Sequence, residues 1–194
     1  MRVISGKARG TKLSSIESIT TRPTLDRVKE SLFNILQEDV NQKVILDLFA
    51  GSGALGIEAL SRNAKYVVFC DNNKQAIQMI KTNLEKTRLI EKTEIVNMDY
   101  KKCIELLNAK KQKFDLIFLD PPYKDDIAVD SLKQIIKNKL LNNKGIVVIE
   151  TDEVNRDLKE LNEAMTTELQ NVRIFDQRKY GRASLIFLKS DWIL

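Results

Sequence analysis

The chain has 194 residues, of which 43% are hydrophobic, and a formal net charge of +5. This length indicates one domain with a short extension, and the apolar content is enough for a buried core, which excludes a disordered chain. The sequence contains no histidine, which excludes Ser-His and Cys-His nucleophile pairs and histidine metal sites, and we expect no bound metal.

The first 22 residues form a basic segment, which we call the arm. Glu17 is its only acid, against five basic residues: Arg2, Lys7, Arg9, Lys12 and Arg22. Such an arm suits a polyanionic partner, although a solubilising tail would have the same composition. Residues 2–5 and 11–13 are predicted to pair as a small hairpin. Thr24 is predicted to cap the following helix, whose apolar side chains recur at helical spacing.

From residue 43 onward, predicted strands and helices alternate. The strands are expected at residues 43–49, 66–70, 93–96, 114–120 and 145–150. The helices are expected at residues 54–62, 74–88, 100–110, 128–140 and 154–164. Two further strands, 166–175 and 183–189, have no helix between them and should pair antiparallel. Since the strands are apolar along both faces, we predict a Rossmann-like, doubly wound α/β fold with seven mostly parallel strands, a C-terminal antiparallel hairpin and a short basic N-terminal extension.

A glycine-rich turn follows the first predicted strand, with Gly51, Gly53 and Gly56 in G-x-G-x-x-G spacing. Asp71 ends the second strand, 18 residues beyond Gly53, where its carboxylate can bind ribose hydroxyls. These residues predict an adenosine cofactor, although a well-packed turn without a ligand would have the same spacing. The charge of Asp47 would repel a pyrophosphate and attract a sulfonium, which favours S-adenosylmethionine over NAD. The alternative is that Asp47 only orders the turn.

Polar residues also follow the third predicted strand. Asp99 could accept a hydrogen bond from an adenine amino group, or it could cap the helix that starts near Tyr100, and the two roles are compatible. Ligands of a doubly wound sheet bind beyond the carboxyl ends of its strands. Phe49, Asn72 and Met98 stand at the same strand ends and complete the set of predicted cofactor-binding residues.

The sequence Asp120-Pro121-Pro122-Tyr123 ends the fourth predicted strand, and we predict that these four residues form the catalytic site. The prolines fix two φ angles and remove two N–H donors, so that the Pro121 carbonyl can face a ligand. This carbonyl and the Asp120 carboxylate are two acceptors for an exocyclic amino group, and they free its nitrogen lone pair from the ring. Tyr123 offers a flat surface for a base that has left its stack. Without the other motifs, the same tetrapeptide would be only a rigid turn.

Several longer blocks of the sequence are similar to one family. They are residues 1–10 (MRVISGKARG), 22–34 (RPTLDRVKESLFN), 47–62 (DLFAGSGALGIEALSR), 120–123 (DPPY) and 180–181 (YG). With these blocks the chain resembles, along nearly its whole length, the bacterial small-subunit ribosomal RNA guanine-N2 methyltransferases of the RsmD type. The first two blocks are specific to that family, whereas the glycine turn and D-P-P-Y also occur in DNA adenine methyltransferases. Ser5 replaces the first glycine of the family's usual Ile-Gly-Gly start, and Gly6 keeps the second.

The resemblance implies a class I methyltransferase that uses S-adenosylmethionine and methylates N2 of one guanine in 16S rRNA, position 966 in the bacterial numbering. It implies that the substrate is a small ribosomal subunit or its assembly intermediate. Residues 1–40 would then be the RNA-facing arm and first helix, and residues 41–194 the methyltransferase domain. The apolar runs are too short to span a bilayer and the start has no signal-peptide segment, so we expect a cytoplasmic monomer without membrane contact.

The basic residues that would face the RNA form two groups. One lies in the arm and the first helix, and the other lies near the C-terminus: Arg2, Lys7, Arg9, Arg22, Arg27, Arg178, Lys179 and Arg182. Lysine and arginine on phosphates position an RNA without reading its sequence. For the second group the alternative is a solvated hairpin turn. Arg22 and Arg27 could instead pair with helix acids such as Asp26 and Glu30.

Three other functions fit parts of the sequence. A DNA or RNA adenine-N6 methyltransferase fits the motifs, but the inserted target-recognition region expected of a DNA enzyme is not visible between them. An NAD-binding oxidoreductase would explain the glycines and Asp71 but would leave Asp47 and D-P-P-Y without a role. An RNA-binding assembly factor without turnover would leave all the intact motifs unused.

Overall fold

The computed structural model describes residues 1–15, 22–122 and 127–192, with the backbone alone for residues 22–25. Its strands are β1 (Val44–Asp47), β2 (Tyr66–Asp71), β3 (Thr93–Asn97), β4 (Phe114–Leu119), β5 (Leu141–Thr151), β6 (Val172–Tyr180) and β7 (Ala183–Ser190). Its α-helices are α1 (Arg22–Leu36), α2 (Ala54–Ser61), α3 (Lys74–Thr87), α4 (Tyr100–Ala109), α5 (Ile127–Lys137) and α6 (Val154–Met165). None of the helices in these ranges has both the length and the apolar character that a membrane span requires.

The strands form one seven-stranded sheet in the order β3-β2-β1-β4-β5-β7-β6. The pairs β1–β2, β2–β3 and β4–β5 are parallel, whereas β7 runs antiparallel to both β5 and β6. The predicted fold class is therefore confirmed, including the C-terminal antiparallel hairpin. Within this fold the chain forms two compact units, Met1–Asp99 and Tyr100–Leu194.

The core of each unit is made by strands that are buried on both faces. In the first unit, the four residues from Val67 to Cys70 in β2 have no exposed surface. In the second unit, Phe114 and the residues from Leu116 to Leu119 in β4 are at most 1% exposed. This double-sided burial explains why these strands read as continuous apolar runs in the sequence.

The arm pairs with itself less than predicted. The two segments are joined by a single antiparallel bridge between Arg2 and Lys12, with the Val3 N–H donating to the carbonyl of Thr11 at 3.0 Å. The predicted hairpin does not extend further because the N–H groups of Ile4 and Ser5 donate to the Glu58 carboxylate, at 2.8 and 3.0 Å. A strand ladder needs those donors for its own partner strand.

The start of α1 also differs from the prediction. The helix begins at Arg22, two residues before Thr24, so the assignment of Thr24 as the cap outside the helix is wrong. Pro23 explains the early start, since proline is tolerated in the first turn, where its missing N–H would have no partner within the helix. The side chains of residues 22–25 lie outside the described part, and so does the predicted contact of Arg22 with RNA.

In the second unit, two strands have other bounds than predicted. Residues 166–171, predicted as strand, form a turn, because the N–H groups of Thr167 and Leu169 donate to the carbonyl of Ala164 at the end of α6, at 3.1 and 2.9 Å. The strand β6 instead continues to Tyr180. The strand β5 begins at Leu141 rather than Gly145, because an irregularity in its pairing with β4 admits the extra residues.

Candidate functional site

Glycine is required at the three positions of the turn after β1 for different physical reasons. Gly51 and Gly53 have φ angles of +54° and +77°, in the left-handed region that residues other than glycine rarely adopt. Gly56 lies in the first turn of α2, where a Cβ would lie 2.3 Å from a ring carbon of Phe69 on β2. The first two glycines therefore shape the turn, and the third lets α2 pack closely against the sheet.

Hydrogen bonds hold this glycine turn between β1 and β2. The N–H of Gly53 donates to the carbonyl of Ala50 at 2.7 Å, and the N–H of Ala50 donates to the carbonyl of Cys70 at 2.9 Å. The N–H of Gly51 donates to Oδ2 of Asp71 at 2.8 Å. The structure thus brings together two predicted cofactor residues, Gly51 and Asp71, which lie 20 positions apart in the chain.

Asp71 is half-buried, and both of its carboxylate oxygens already accept a backbone hydrogen bond. Oδ2 takes the Gly51 N–H, and Oδ1 takes the N–H of Asn73 at 2.8 Å. Each carboxylate oxygen has two lone pairs, so both keep acceptor capacity for ribose hydroxyls. Asn73 in turn caps α3 by accepting from the N–H of Gln75 at 2.8 Å, which fixes the chain directly after Asp71.

Asp47 ends β1 and is only 2% exposed. Its Oδ2 accepts a hydrogen bond from the N–H of Gly56 at 3.0 Å. Burial raises the pKa of this carboxyl to about 7; the Gly56 bond lowers it, and the charge of Asp71 adds to the rise. Asp47 therefore orders the turn, which was the second of the two roles predicted for it.

This position of Asp47 also bears on the choice of cofactor. A helix N-terminus binds a pyrophosphate through its free backbone N–H groups. In α2 one of these donors, the Gly56 N–H, is already bonded to the Asp47 carboxylate. Near neutral pH this carboxyl group is partly ionised, and its ionised form would repel an anionic pyrophosphate at the same helix end but not a cationic ligand. The arrangement fits S-adenosylmethionine better than NAD.

The end of β3 lies close to the end of β2. The side-chain amide of Asn97 donates to the carbonyl of Asp71 at 2.9 Å, and the thiol of Cys70 donates to the carbonyl of Met98 at 3.5 Å. Asp99 is exposed and directly precedes α4, which is the position of a helix cap. Its contact with an adenine stays a prediction, as do the cofactor contacts of Met98, the half-buried Phe49 and the exposed Asn72.

The predicted catalytic residues belong to the second unit. Asp120 directly follows β4 and is half-buried, Pro121 is buried and Pro122 is exposed. Tyr123 lies outside the described residues. The position of Asp120 at the carboxyl end of a parallel strand is the predicted one, and the catalytic roles of all four residues stay predictions.

The predicted RNA-binding residues are mostly exposed. Arg2, Arg9 and Arg27 line a groove of about 580 Å³ that also contains the acids Asp26 and Glu30. Lys7 donates to the side chain of Asn63 at 3.4 Å.

In the C-terminal group, a guanidinium nitrogen of Arg178 lies 3.1 Å from the carboxylate of Asp176. Arg178 and Lys179 lie within β6 rather than in a turn. Arg182 is exposed, in the turn before β7.

Sequence reasoning missed the residues that fix the arm to the body of the first unit. Glu58 has no exposed surface, and its carboxylate accepts the N–H groups of Ile4 and Ser5 and pairs with Lys29 at 3.3 Å and Arg62 at 2.8 Å. Burial lowers the pKa of Lys29, and the charge of Glu58 opposes that effect. The available signal was a single acid within the otherwise apolar helix segment ALGIEAL.

Ser61 and Gly6 form the second contact of the arm with α2. The hydroxyl of Ser61 accepts the N–H of Ala8 at 2.9 Å and donates to the carbonyl of Ser5, while its own carbonyl accepts the N–H of Lys7 at 2.8 Å. A Cβ on Gly6 would lie 1.8 Å from that carbonyl oxygen. Glycine is thus required at position 6, because the backbone of the arm lies too close to α2 there to leave room for a side chain.

No cluster of three or more metal-ligating side chains lies within residues 1–15, 22–122 and 127–192. The expectation that the protein binds no metal stays a prediction.

The chain matches the family model described as "Conserved hypothetical protein 95" over residues 1–189. It is 40% identical over 152 residues to YlbH of Bacillus subtilis, a proposed rRNA methyltransferase, with 78% of this chain and 83% of the relative covered. It is 38% identical over 155 residues to the ribosomal RNA small subunit methyltransferase D of Haemophilus influenzae, with 78% and 79% covered. The solved structure of yhhF from Escherichia coli, a proposed methyltransferase, is similar with a TM-score of 0.80, 25% identity and 98% of both chains covered.

Proposed function

The chain belongs to the RsmD family, whose members have the class I methyltransferase fold, and on that premise we propose that it methylates N2 of a guanine in 16S rRNA with S-adenosylmethionine. The proposed guanine is position 966 in the bacterial numbering. The observation that carries the proposal is the glycine turn bonded to Asp71, with Asp47 on the N-terminus of α2. The names of the relatives support the rRNA substrate.

The cofactor would bind at the glycine turn of the first unit. We assign the ribose hydroxyls to Asp71, whose two oxygens keep acceptor capacity. We assign the adenine amino group to Asp99, which is exposed and directly precedes α4. When bound, S-adenosylmethionine supplies an electrophilic methyl group on a sulfonium.

The residues after β4 would hold the base. The carbonyl of Pro121 and the carboxylate of Asp120 would each accept one hydrogen of the guanine amino group, which localises the lone pair on nitrogen for attack on the methyl carbon. The N–C bond would form as the S–C bond breaks, with the electron pair left on sulfur. The amino proton would become acidic once the methyl group is attached and would leave to the Asp120 carboxylate or to water, so no strong base is needed. The rate acceleration would come mainly from the positioning of the base and from electrostatic stabilisation of the transition state.

The RNA would contact the exposed cations of the arm and of β6. Arg2, Arg9 and Arg27 share one groove, and Lys179 and Arg182 are exposed near the C-terminus. Contacts of this kind neutralise phosphates and give salt-dependent affinity without reading bases. We propose that the substrate is the small subunit or its assembly intermediate, and that the protein acts in the cytoplasm as a monomer.

The proposal is tested with small ribosomal subunits from cells that lack this protein. They are incubated with the protein and methyl-labelled S-adenosylmethionine, and the rRNA is digested to nucleosides. We expect label in N2-methylguanosine. Label in N6-methyladenosine would show an adenine enzyme, and cofactor binding without transfer to any ribosomal particle would show an assembly factor without turnover.

The cofactor assignment is tested separately by calorimetric titration. We expect S-adenosylhomocysteine to bind and NAD to give no heat of binding. Binding of NAD alone would contradict the assignment and favour an oxidoreductase.

A further inference from the structure

Asn83 on α3 is a polar side chain with no exposed surface. Its Oδ1 accepts the N–H of Ser14 at 2.8 Å, and its Nδ2 donates to the carbonyls of Ser14 and Ser52, both at 2.9 Å. One hydrogen of the amide is therefore used on the arm and the other on the glycine turn. Because buried polar groups are destabilising when they lose their partners, these bonds act to hold Ser14 and Ser52 in one arrangement.

The bond to Ser52 reaches the middle of the glycine turn. The carbonyl of Ser52 and the N–H of Gly53 belong to the same planar peptide group. The carbonyl is held by Asn83, and the N–H is held by the carbonyl of Ala50 at 2.7 Å. Glycine gives the chain conformational freedom on both sides of Ser52. The conformation of the turn therefore depends on side chains outside it, among them Asn83, Asp71 and Asp47.

The arm side of this connection is also fixed. Upstream of Ser14, the arm is bonded to Glu58 and Ser61 of α2 through the backbone of residues 4–8. Ser14 itself has a further contact, since the ammonium of the exposed Lys86 donates to its hydroxyl at 2.7 Å. Residues 1–15 of the arm are thus docked on the first unit. Near the end of this segment, Ser14 is connected to the glycine turn through the side-chain amide of Asn83.

We propose that Asn83 is a positioning residue that couples docking of the arm to binding of S-adenosylmethionine at the glycine turn. This inference rests on the proposed function, which supplies the ligand and makes the arm an RNA-facing element. Linkage between two sites is reciprocal. An arm that is held in place favours the binding conformation of the turn, and a bound cofactor in turn holds the arm in place.

Two variants break the connection from opposite sides. Asn83→Asp keeps the shape and the acceptor for the Ser14 N–H, but it places a carboxylate oxygen against the carbonyls of Ser14 and Ser52. Ser14→Pro leaves Asn83 intact and removes the N–H that Oδ1 accepts. Lys86→Ala is the matched control, because Lys86 contacts the same serine through its hydroxyl only.

Affinity for S-adenosylhomocysteine is measured by calorimetry on the full chain. We expect about tenfold weaker binding for Asn83→Asp and several-fold weaker binding for Ser14→Pro, and less than twofold change for Lys86→Ala. With small subunits as substrate, Asn83→Asp should raise KM for S-adenosylmethionine and leave kcat close to that of the wild type. A merely structural role would not produce that separation.

Amide hydrogen exchange of the arm, followed by mass spectrometry, reports the reciprocal effect. We expect S-adenosylhomocysteine to slow exchange in residues 1–15 of the wild type and of Lys86→Ala, but not of Asn83→Asp. If the wild type binds the ligand, and both disrupted variants bind it equally well with no change in arm exchange, the coupling is overturned and the proposed function stands. If the wild type itself fails to bind, the proposed function and the coupling are both overturned.

Discussion

The carboxylate of Asp47, at the end of β1, accepts a hydrogen bond of 3.0 Å from the backbone N–H of Gly56, in the first turn of α2. Asp47 is 2% exposed, and burial raises its pKa to about 7 from an ordinary value of 3.8. The glycine turn that lies between these two residues is therefore closed by a carboxyl group that titrates near neutral pH.

This pKa predicts a specific dependence of stability on pH. Between about pH 4 and pH 7 the folded protein holds a proton that the unfolded chain releases, so the free energy of unfolding falls as pH rises through this window and levels off above it. The full shift corresponds to about 4 kcal/mol. Asn at position 47 keeps an acceptor for the Gly56 N–H but does not titrate, so Asp47→Asn is the control.

Urea denaturation of the wild type and Asp47→Asn across this pH range measures the effect. Other groups that titrate in both proteins, such as the half-buried Glu150 with its raised pKa, cancel in the difference. We expect the wild type to lose stability relative to the variant as pH rises from 4 to 7. Two parallel stability curves would show that Asp47 has no shifted pKa.

Gly56→Ala should strongly destabilise the protein. The added methyl group would lie 2.3 Å from a ring carbon of Phe69, which has no exposed surface and cannot move into solvent. Overpacking of this kind costs about 1–3 kcal/mol. Gly51→Ala is the comparison, because its methyl group would meet no described heavy atom within 4 Å and only the positive φ opposes it, at about 1 kcal/mol. Chemical denaturation that ranks Gly51→Ala as the more damaging change would contradict this packing argument.

Glu58→Gln should destabilise the first unit and loosen the arm. The substitution removes the nearest countercharge of the 3%-exposed Lys29, and it places an amide donor against one of the two N–H groups, of Ile4 or of Ser5, that the carboxylate now accepts. Breaking a buried ion pair from one side costs about 3–5 kcal/mol. Denaturation measures the loss, and hydrogen exchange of residues 1–15 measures the release of the arm.

Glu91→Gln is the control for that change, since it removes an equal charge from an exposed carboxylate in the turn before β3, away from Lys29 and the arm. We expect its effect on stability to stay below about 1 kcal/mol. A loss for Glu58→Gln as small as that of the control would mean that the buried charges contribute little to holding the arm.

Arg9→Gln tests the role of the arm in RNA binding. Arg9 is exposed and lines the groove that also contains Arg2 and Arg27. Loss of one phosphate contact should weaken binding to the small subunit at low salt and lower the slope of log affinity against log salt by about 1. Lys92→Gln removes an equal charge from an exposed side chain directly before the edge strand β3, where no residue is assigned to the RNA, and should leave the slope unchanged. Equal slopes for both variants and the wild type would exclude Arg9 from the RNA interface.

The fold could be predicted from the sequence because the strands are apolar along both faces and alternate with amphipathic helices. The position of β6 could not, since residues 166–171 have strand-like composition and their turn is fixed by carbonyls at the end of α6. The glycine turn and Asp71 could be predicted because the G-x-G-x-x-G pattern and the distance from it to an acid at the end of the next strand belong to one sequence motif. The partners of Glu58 and Asn83 in the arm could not be predicted, because they are backbone groups 53 to 69 positions away that carry no side-chain signal.

The role of Asp120 is the central claim of the proposed mechanism. Asp120→Asn keeps the size of the side chain and removes the negative charge that would accept an amino hydrogen of the base. Since Asp120 is assigned to the base and not to the cofactor, affinity for S-adenosylhomocysteine should stay within about threefold of the wild type. The control is Asp115→Asn, on the same strand, whose Oδ1 accepts a hydrogen bond of 2.8 Å from the side chain of Asn142.

The most direct measurement is single-turnover transfer of labelled methyl groups to small subunits that lack the modification. For Asp120→Asn we expect a rate at least about 100-fold below that of the wild type, the size of effect that follows loss of one preorganised group that stabilises the transition state. For Asp115→Asn we expect a rate close to that of the wild type. Transfer by Asp120→Asn at the wild-type rate would contradict the mechanism.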